Sequence, residues 1–291
     1  MVSKIDNVMK IIETVKDIQT ELNDLKARGK TIGFSPTMGA FHKGHVSLID
    51  QCKKKDDISV CSIFINPTQF NDQSDLEKYP RTLEADIKIL EEIECNILFA
   101  PSVEEMYPPD FTSFSMNLNG LDNIMEGEKR PGHFAGMIEV IHRLLEIIDP
   151  HHIYMGQKDF QQFTIVDYML KTQKITTKLV VCPIIREDDG LAMSSRNIRL
   201  EKHIRSRASH IYYTLKASQD WLKCIPIKYS IEKAMNALDI LDFKPEYFEI
   251  VNGYSLQPVE DYRNTDYVVG CTAVWAGNVR LIDNIIYKKI S

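Results

Sequence analysis

The stretch Pro36-Thr37-Met38-Gly39-Ala40-Phe41-His42-Lys43-Gly44-His45 brings two histidines, a lysine and two glycines together. Imidazoles donate hydrogen bonds or protons near neutral pH, and glycine lets a backbone turn tightly against a ligand. On the first turn of a helix, residues three apart share a face, so His42 and His45 can address one anion. Gly39 and Gly44 stand at P-loop spacing, but the next residue is His45 rather than lysine, and Val46 follows where a hydroxyl residue belongs. A Walker site is therefore excluded. What remains is charge stabilisation on phosphate, with backbone N–H groups and the positive end of a helix expected to contribute.

Other polar groups fit the same chemistry. Gly156-Gln157-Lys158-Asp159 sets a cation beside a carboxylate, Met193-Ser194-Ser195-Arg196 offers two hydroxyls and a guanidinium, and Gln69 and Gln162 supply neutral amides.

Elements must hold these residues in place. Apolar runs at 31–35, 58–65, 96–100, 152–155 and 179–185 read as strands, several of them buried on both faces. Helical patterns lie between them, at about 83–93 and 135–148, from Val46 to about Lys54, and from the segment 156–162 to about Gln173, with 101–132 irregular. A further helix is expected over the first 28 residues, from the spacing of Val8, Ile11, Ile12, Val15, Ile18, Leu22 and Leu25. This alternation predicts an α/β fold, a Rossmann-like parallel sheet with right-handed crossovers. The segments 36–45, 66–70, 156–162 and 186–197 each begin just past a predicted strand, where open parallel sheets bind ligands. After Asn197 the pattern changes to two helices (200–223, 230–241) and three strands (247–251, 267–275, 279–287), with a hairpin signal at Ala276-Gly277-Asn278. Residues 1–178 are expected to form the Rossmann-like domain, and 179–291 a smaller C-terminal α+β domain.

Bulk properties exclude several alternatives. The 291 residues are 44% apolar and 26% charged, as in a globular protein of one large or two ordinary domains. A net charge of −6 with no basic block argues against nucleic acid as partner. Six scattered cysteines without C-x-x-C spacing read as reduced thiols, and a signal peptide and a membrane-length apolar run are both missing. The expected location is the cytoplasm.

Six motifs in order give the chain a family resemblance. They are Pro36-Thr37-Met38-Gly39-Ala40-Phe41-His42-x-Gly44-His45, Ile63-Phe64-Ile65-Asn66-Pro67-x-Gln69-Phe70, Tyr79-Pro80-Arg81-Thr82, Arg130-Pro131-Gly132-His133-Phe134, Gly156-x-Lys158-Asp159-x-Gln161-Gln162 and Met193-Ser194-Ser195-Arg196-Asn197. Together with Arg280-Leu281-Ile282-Asp283-Asn284 they resemble the pantoate–β-alanine ligases (pantothenate synthetases) of the HxGH nucleotidyltransferase superfamily. The resemblance spans nearly the whole chain. Phe41, Glu139 and Asn252 depart from the residues usual there (Leu, Thr and Asp).

The resemblance implies a two-step reaction. Pantoate is activated by ATP as an adenylate, and β-alanine then displaces AMP to form pantothenate. On this likeness residues 1–178 would bind nucleotide and pantoate, and 179–291 would act as a lid domain. It implies His42, His45 and Lys158 as catalytic residues. ATP contacts are implied for Met38, Gly39, Ala40, Phe41, His42, Lys43, Gly44 and His45, then for Gly156, Gln157, Lys158 and Asp159, and for Ile185, Met193, Ser194, Ser195 and Arg196. Gln69 and Gln162 would hold pantoate, Gln69 also β-alanine, and Asp159 a Mg²⁺ ion. Asn66, Arg130 and His133 are further candidates that could equally cap a helix or fix a loop, and 71–80 is a candidate lid. A homodimer is implied as well. Rival readings are an enzyme adenylylating a phosphate ester, a nucleotide sensor without catalysis, and a zinc hydrolase. The first would call for more Arg and Lys on the acceptor side, where Gln69 and Gln162 are neutral. The second needs fewer of these residues, and the third lacks a ligand set.

Overall fold

Five βα repeats with strongly apolar strands build a parallel sheet in the computed structural model, which describes residues 8–70, 76–77 and 79–290. Its strands are β1 Lys10–Ile12, β2 Ile32–Thr37, β3 Ile58–Ile63, β4 Ile97–Phe99, β5 His152–Gly156 and β6 Lys178–Cys182, in the order β1-β4-β3-β2-β5-β6. Every pairing is parallel, with Phe34 of β2 opposite Val60 on one side and Ile153 on the other. The chain builds outward from β2 to β4, then returns to lay β5 on β2's other side. The topological switch therefore falls between β2 and β5, whose carboxyl ends lead into 38–45 and 157–162.

The helices are α1 Val15–Ala27, α2 Lys43–Lys55, α3 Leu83–Glu92, α4 His133–Ile148 and α5 Phe160–Thr172. Helix α2 lies so close to β2 that a Cβ on Gly33 would stand 2.3 Å from Cys52 Sγ. The expected helix over the first 28 residues is corrected. Lys10–Ile12 pairs with β4 as edge strand β1, and α1 starts at Val15. The reason is local: Thr14 Oγ1 accepts the Asp17 amide at 3.2 Å, an N-cap worth about 1 kcal/mol, and the β-branched pair before it suits a strand. The irregular stretch 101–132 also contains two short helices, Val103–Met106 and Met125–Lys129.

The second compact unit comprises 120–128, 157–164 and 183–291; the first comprises 1–119, 129–156 and 165–182 and thus holds all of β6. In the second, β7 Phe243–Asn252, β8 Tyr267–Ala276 and β9 Val279–Lys289 form an antiparallel sheet in that order. Gly277, with φ +57, makes the two-residue turn between β8 and β9. Helices α6 His210–Trp221 and α7 Ile227–Leu238 cover it, burying Leu215 and Leu238 with Phe243, Phe248 and Val268. The helix expected over 200–223 is split, with Lys202–Arg205 standing apart because i→i+3 bonds tighten the chain through Ala208. Asn252 closes a turn by accepting the Tyr254 amide at 2.9 Å, and Glu139 takes the hydroxyls of Thr68 and Ser113. All six cysteines are free, and burial pushes the Cys95 and Cys182 thiols up to about 11, out of the reactive range. Among the described residues no helix is long and apolar enough to cross a membrane.

Candidate active site

The loop after β2 is wired from within. Gly39 and Ala40 both take the left-handed conformation, with φ +81 and +54. The Gly39 amide donates to Thr37 Oγ1 at 3.2 Å, and the amides of Ala40 and Phe41 donate to the two oxygens of Asp86 at 2.9 and 2.8 Å. Asp86 comes from α3, is 2% exposed, and also accepts the Thr82 hydroxyl at 3.0 Å. His42 caps α2: its Nδ1 accepts the Gly44 amide at 3.0 Å, while its own amide donates to Nδ1 of His45 at 3.4 Å. The two ring centroids lie 4.1 Å apart. A Cβ on Gly44 would stand 2.7 Å from the His42 ring, so only glycine fits there.

This wiring corrects one expectation and sharpens another. The amides of Gly39, Ala40, Phe41, His42, Gly44 and His45 are all engaged inside the protein, so they do not form an anion cradle of the P-loop kind. In exchange, both imidazoles are oriented. A neutral ring whose Nδ1 accepts a hydrogen bond carries its hydrogen on Nε2. In that neutral form His42 and His45 carry their hydrogen on Nε2, the atom through which each ring can donate a hydrogen bond to an oxyanion.

The loop after β3 folds into a 3-10 turn at Pro67–Gln69, started by the buried Asn66. Asn66 Oδ1 accepts the Thr68 amide at 3.3 Å and the Tyr107 hydroxyl at 3.0 Å, and its Nδ2 donates to Gly136 O at 3.1 Å. That is a structural cap, the less chemical of the two roles open to it. His133 approaches the Gln69 carbonyl through Nδ1 at 2.9 Å and Arg130 through Nε2 at 3.1 Å. A guanidinium only donates, so Nε2 accepts and Nδ1–H donates to Gln69 O. Arg130 and His133 thus fix the backbone that carries Gln69. The Gln69 side-chain amide makes no hydrogen bond among the described residues, and its residue is 9% exposed. Residues 71–75 and 78 of the candidate lid lie outside the described residues.

The remaining candidates, except Gly156 at the end of β5, belong to the second unit. Lys158 Nζ lies 4.0 Å from Asp159, whose carboxylate is half exposed. Gln162 follows on α5; its amide, like that of Gln69, makes no hydrogen bond among the described residues. Ile185 and Met193 are cross-strand neighbours, with the Met193 amide donating to Ile185 O at 2.9 Å. Between them Asp188-Asp189-Gly190 is a turn, as the sequence suggests, with Gly190 at φ +97. Asp189 is anchored by Arg205, which holds its carboxyl below the usual range. Ser194 Oγ then accepts the Arg196 amide at 3.2 Å and shapes the turn that carries Ser195.

Two features had no role readable in the sequence. Asp86 looks like an ordinary helical carboxylate four residues after Thr82. Asp283 and Asn284 stood out as a motif, but without a role. Among the described residues no cluster of three metal-ligating side chains exists.

A family model described as pantoate-beta-alanine ligase matches residues 10–286. The chain is 48% identical over 283 residues to a pantothenate synthetase of Bacteroides fragilis (strain YCH46), covering 97% of this chain and 100% of the relative. It is 42% identical to that of Thermotoga petrophila, covering 96% and 99%. Its fold is similar to the crystal structure of pantothenate synthetase from Thermus thermophilus, with TM-score 0.89 and 34% identity over 96% of this chain and 100% of that one. A pantoate-beta-alanine ligase from Francisella tularensis, crystallised with beta-gamma ATP and beta-alanine, matches with TM-score 0.77 and 34% identity, covering 96% and 98%.

Proposed function

This chain belongs to the pantoate–β-alanine ligase family, and from that premise we propose how its residues carry the reaction. The enzyme joins pantoate to β-alanine at the expense of ATP and yields pantothenate. A carboxylate lacks a leaving group, so pantoate is first activated. Its carboxylate oxygen attacks the α-phosphorus of ATP, the bond to the β-phosphate breaks, and pyrophosphate leaves. The amine of β-alanine then attacks the acyl carbon and AMP departs, the amine proton passing to solvent.

Negative charge builds on the pyrophosphate in the first step, and preorganised donors aimed there lower the barrier. We assign this role to the Nε2–H groups of His42 and His45 and to the ammonium of Lys158. Ser194, Ser195 and Arg196 hold the β- and γ-phosphates, the guanidinium as a fork. Met38, Gly39, Ala40, Phe41, Lys43, Gly44, Gly156, Gln157, Ile185 and Met193 complete the nucleotide contacts, Met38 and Ile185 against adenine or ribose. Gln69 and Gln162 orient pantoate, and Gln69 also β-alanine. Neutral amides suit this task, because a cation clamped on the attacking carboxylate would stabilise it before attack.

A Mg²⁺ ion fits the donor set in one way. Asp159 offers a single half-exposed carboxylate beside Lys158, which suits a cation that takes one or two carboxylates and completes its shell with water and phosphate oxygens. Bound there, it would supply charge neutralisation on the triphosphate. We also propose a cytoplasmic homodimer, with nucleotide and pantoate handled by residues 1–178 and the phosphate loops carried further along the chain.

The observation behind this reading is the mutual capping of His42 and His45, which turns both rings to the donor form at Nε2. The test is product release from ATP with each substrate omitted. Pyrophosphate should appear with pantoate alone, and AMP only when β-alanine is added. Pyrophosphate release that ignores pantoate would reject the reading.

A further inference from the structure

We propose that Asn284 is a positioning residue for the phosphate-binding turn at 157–159, and that neighbouring Asp283 does the same, through Arg186, for the loop carrying Ser194–Arg196. The proposal rests on the reading that Lys158 contacts the triphosphate. Asn284 lies on β9 and is 2% exposed. Its Nδ2 donates to the carbonyls of Gln157 and Lys158 at 3.0 and 2.9 Å, and its Oδ1 accepts from Gln157 Nε2 at 3.1 Å. A primary amide has two N–H bonds, and here both go to successive backbone carbonyls.

The consequence follows from peptide geometry. In a trans peptide the N–H points opposite to the C=O. Drawing the carbonyls of Gln157 and Lys158 toward Asn284 turns the amides of Lys158 and Asp159 the other way. The turn at 157–158 closes through the Asp159 amide back toward the end of β5, while the Lys158 amide makes no hydrogen bond among the described residues. The Lys158 amide and the Lys158 ammonium, just ahead of the first residue of α5, are the donors this turn offers an anion. An aspartate at 284 would set a carboxylate against the same two carbonyls, so the amide is the chemistry this turn demands.

Asp283 extends the arrangement. Arg186 grips it with both terminal nitrogens, at 2.6 and 3.0 Å, and also donates to Asn284 O at 3.3 Å and Gly190 O at 3.1 Å. The Arg186 guanidinium further stacks 4.1 Å above the Tyr212 ring. The hairpin leading to Ser194 is thereby tied to Asp283 and Asn284 of β9, the second of which holds the Lys158 turn. A plain structural asparagine would only stabilise the fold. A positioning residue acts selectively on the part of the ligand its loop meets.

The experiment compares Asn284→Ala, Asn284→Ser and Lys158→Ala in the full-length enzyme. Kd is measured for a non-hydrolysable ATP analogue, for adenosine and for pantoate, with thermal melts to verify folding. Asn284→Ala is expected to weaken the ATP analogue about tenfold, the scale of one or two hydrogen bonds, and to leave adenosine and pantoate within about twofold, inside ordinary scatter for an uncoupled site. Asn284→Ser keeps one donor and should fall between; it serves as the readout if the alanine variant does not fold. Equal losses for the ATP analogue, adenosine and pantoate would overturn the proposal, as would no loss at all. Lys158→Ala separates the two levels. If it weakens the ATP analogue and the Asn284 variants do not, only the positioning role falls. If it has no effect, the phosphate role of Lys158 falls and the proposal with it.

Discussion

The carboxylate of Asp86 accepts the backbone amide of Phe41 at 2.8 Å, across a sequence separation of 45 residues. With the Ala40 amide on its other oxygen, this one buried side chain sets the curvature of the loop that delivers His42 and His45. Asp86→Asn would turn an NH₂ group toward one of those amides. Pyrophosphate release should drop by about 10²-fold, the scale for a catalytic group displaced by about an ångström. Stability should fall by about 1–3 kcal/mol for the amide left unpaired. Both are read from stopped-flow pyrophosphate assays and urea melts; an unchanged rate would remove Asp86 from the positioning of the loop.

Gln69 and His133 are coupled through the Gln69 carbonyl. His133→Ala should raise the KM for pantoate about tenfold, the effect of one lost hydrogen bond, and leave the KM for ATP nearly unchanged. Gln69→Ala should act in the same direction and more strongly. Steady-state kinetics with each substrate varied in turn checks both, and parallel rises for ATP and pantoate would contradict the assignment.

Arg280 sits between Glu126 and Glu246, at 2.7 and 2.5 Å, and Tyr247 donates to Glu126 at 2.8 Å. These carboxylates hold the Arg280 guanidinium firmly charged. Arg280→Met removes from both acids, in a largely buried site, the charge that Arg280 supplies. The expected cost is about 3–5 kcal/mol, nearer the lower figure because Glu246 keeps some solvent contact. Equilibrium denaturation measures it, and a loss under about 1 kcal/mol, the range of an exposed pair, would show that water already screens the cluster.

His142 stacks on Phe114 with ring centroids 3.7 Å apart, and burial lowers its pKa. The folded state then binds fewer protons than the unfolded chain, whose histidine titrates near about 6.5. Stability from this residue is complete above that pH and is lost as pH falls through it toward the depressed folded value. His142→Phe keeps the stack and removes the proton. Its unfolding free energy should decline less than wild type between pH 7 and pH 5, and identical declines would exclude His142 as a contributor.

Much of this architecture is legible in local pattern. The apolar run around Val60 and Cys61 reads as a doubly buried strand, and the helix ending at Asp149-Pro150 has a stop signal of its own. The N-terminal helix was harder, because Val8, Ile11 and Ile12 fit its period while the cap at Thr14 sets its start. What periodicity could not supply is long-range pairing. Asp86 meets residues 45 and 46 positions away, and Asn284 meets residues 126 and 127 away, so neither pairing is visible in local sequence. The loop after β2 shows the same limit: its composition signals phosphate chemistry, but only the fold reveals that its amides are engaged within the protein and that each imidazole accepts an amide at Nδ1.

Single-turnover pyrophosphate release by His45→Ala, with ATP and pantoate saturating, addresses this last point most directly. A rate lower than wild type by about 10²–10⁴-fold, with ATP still bound, is expected if Nε2–H of His45 stabilises the departing pyrophosphate. A rate close to wild type would mean that the capped histidine pair plays no part in the chemistry.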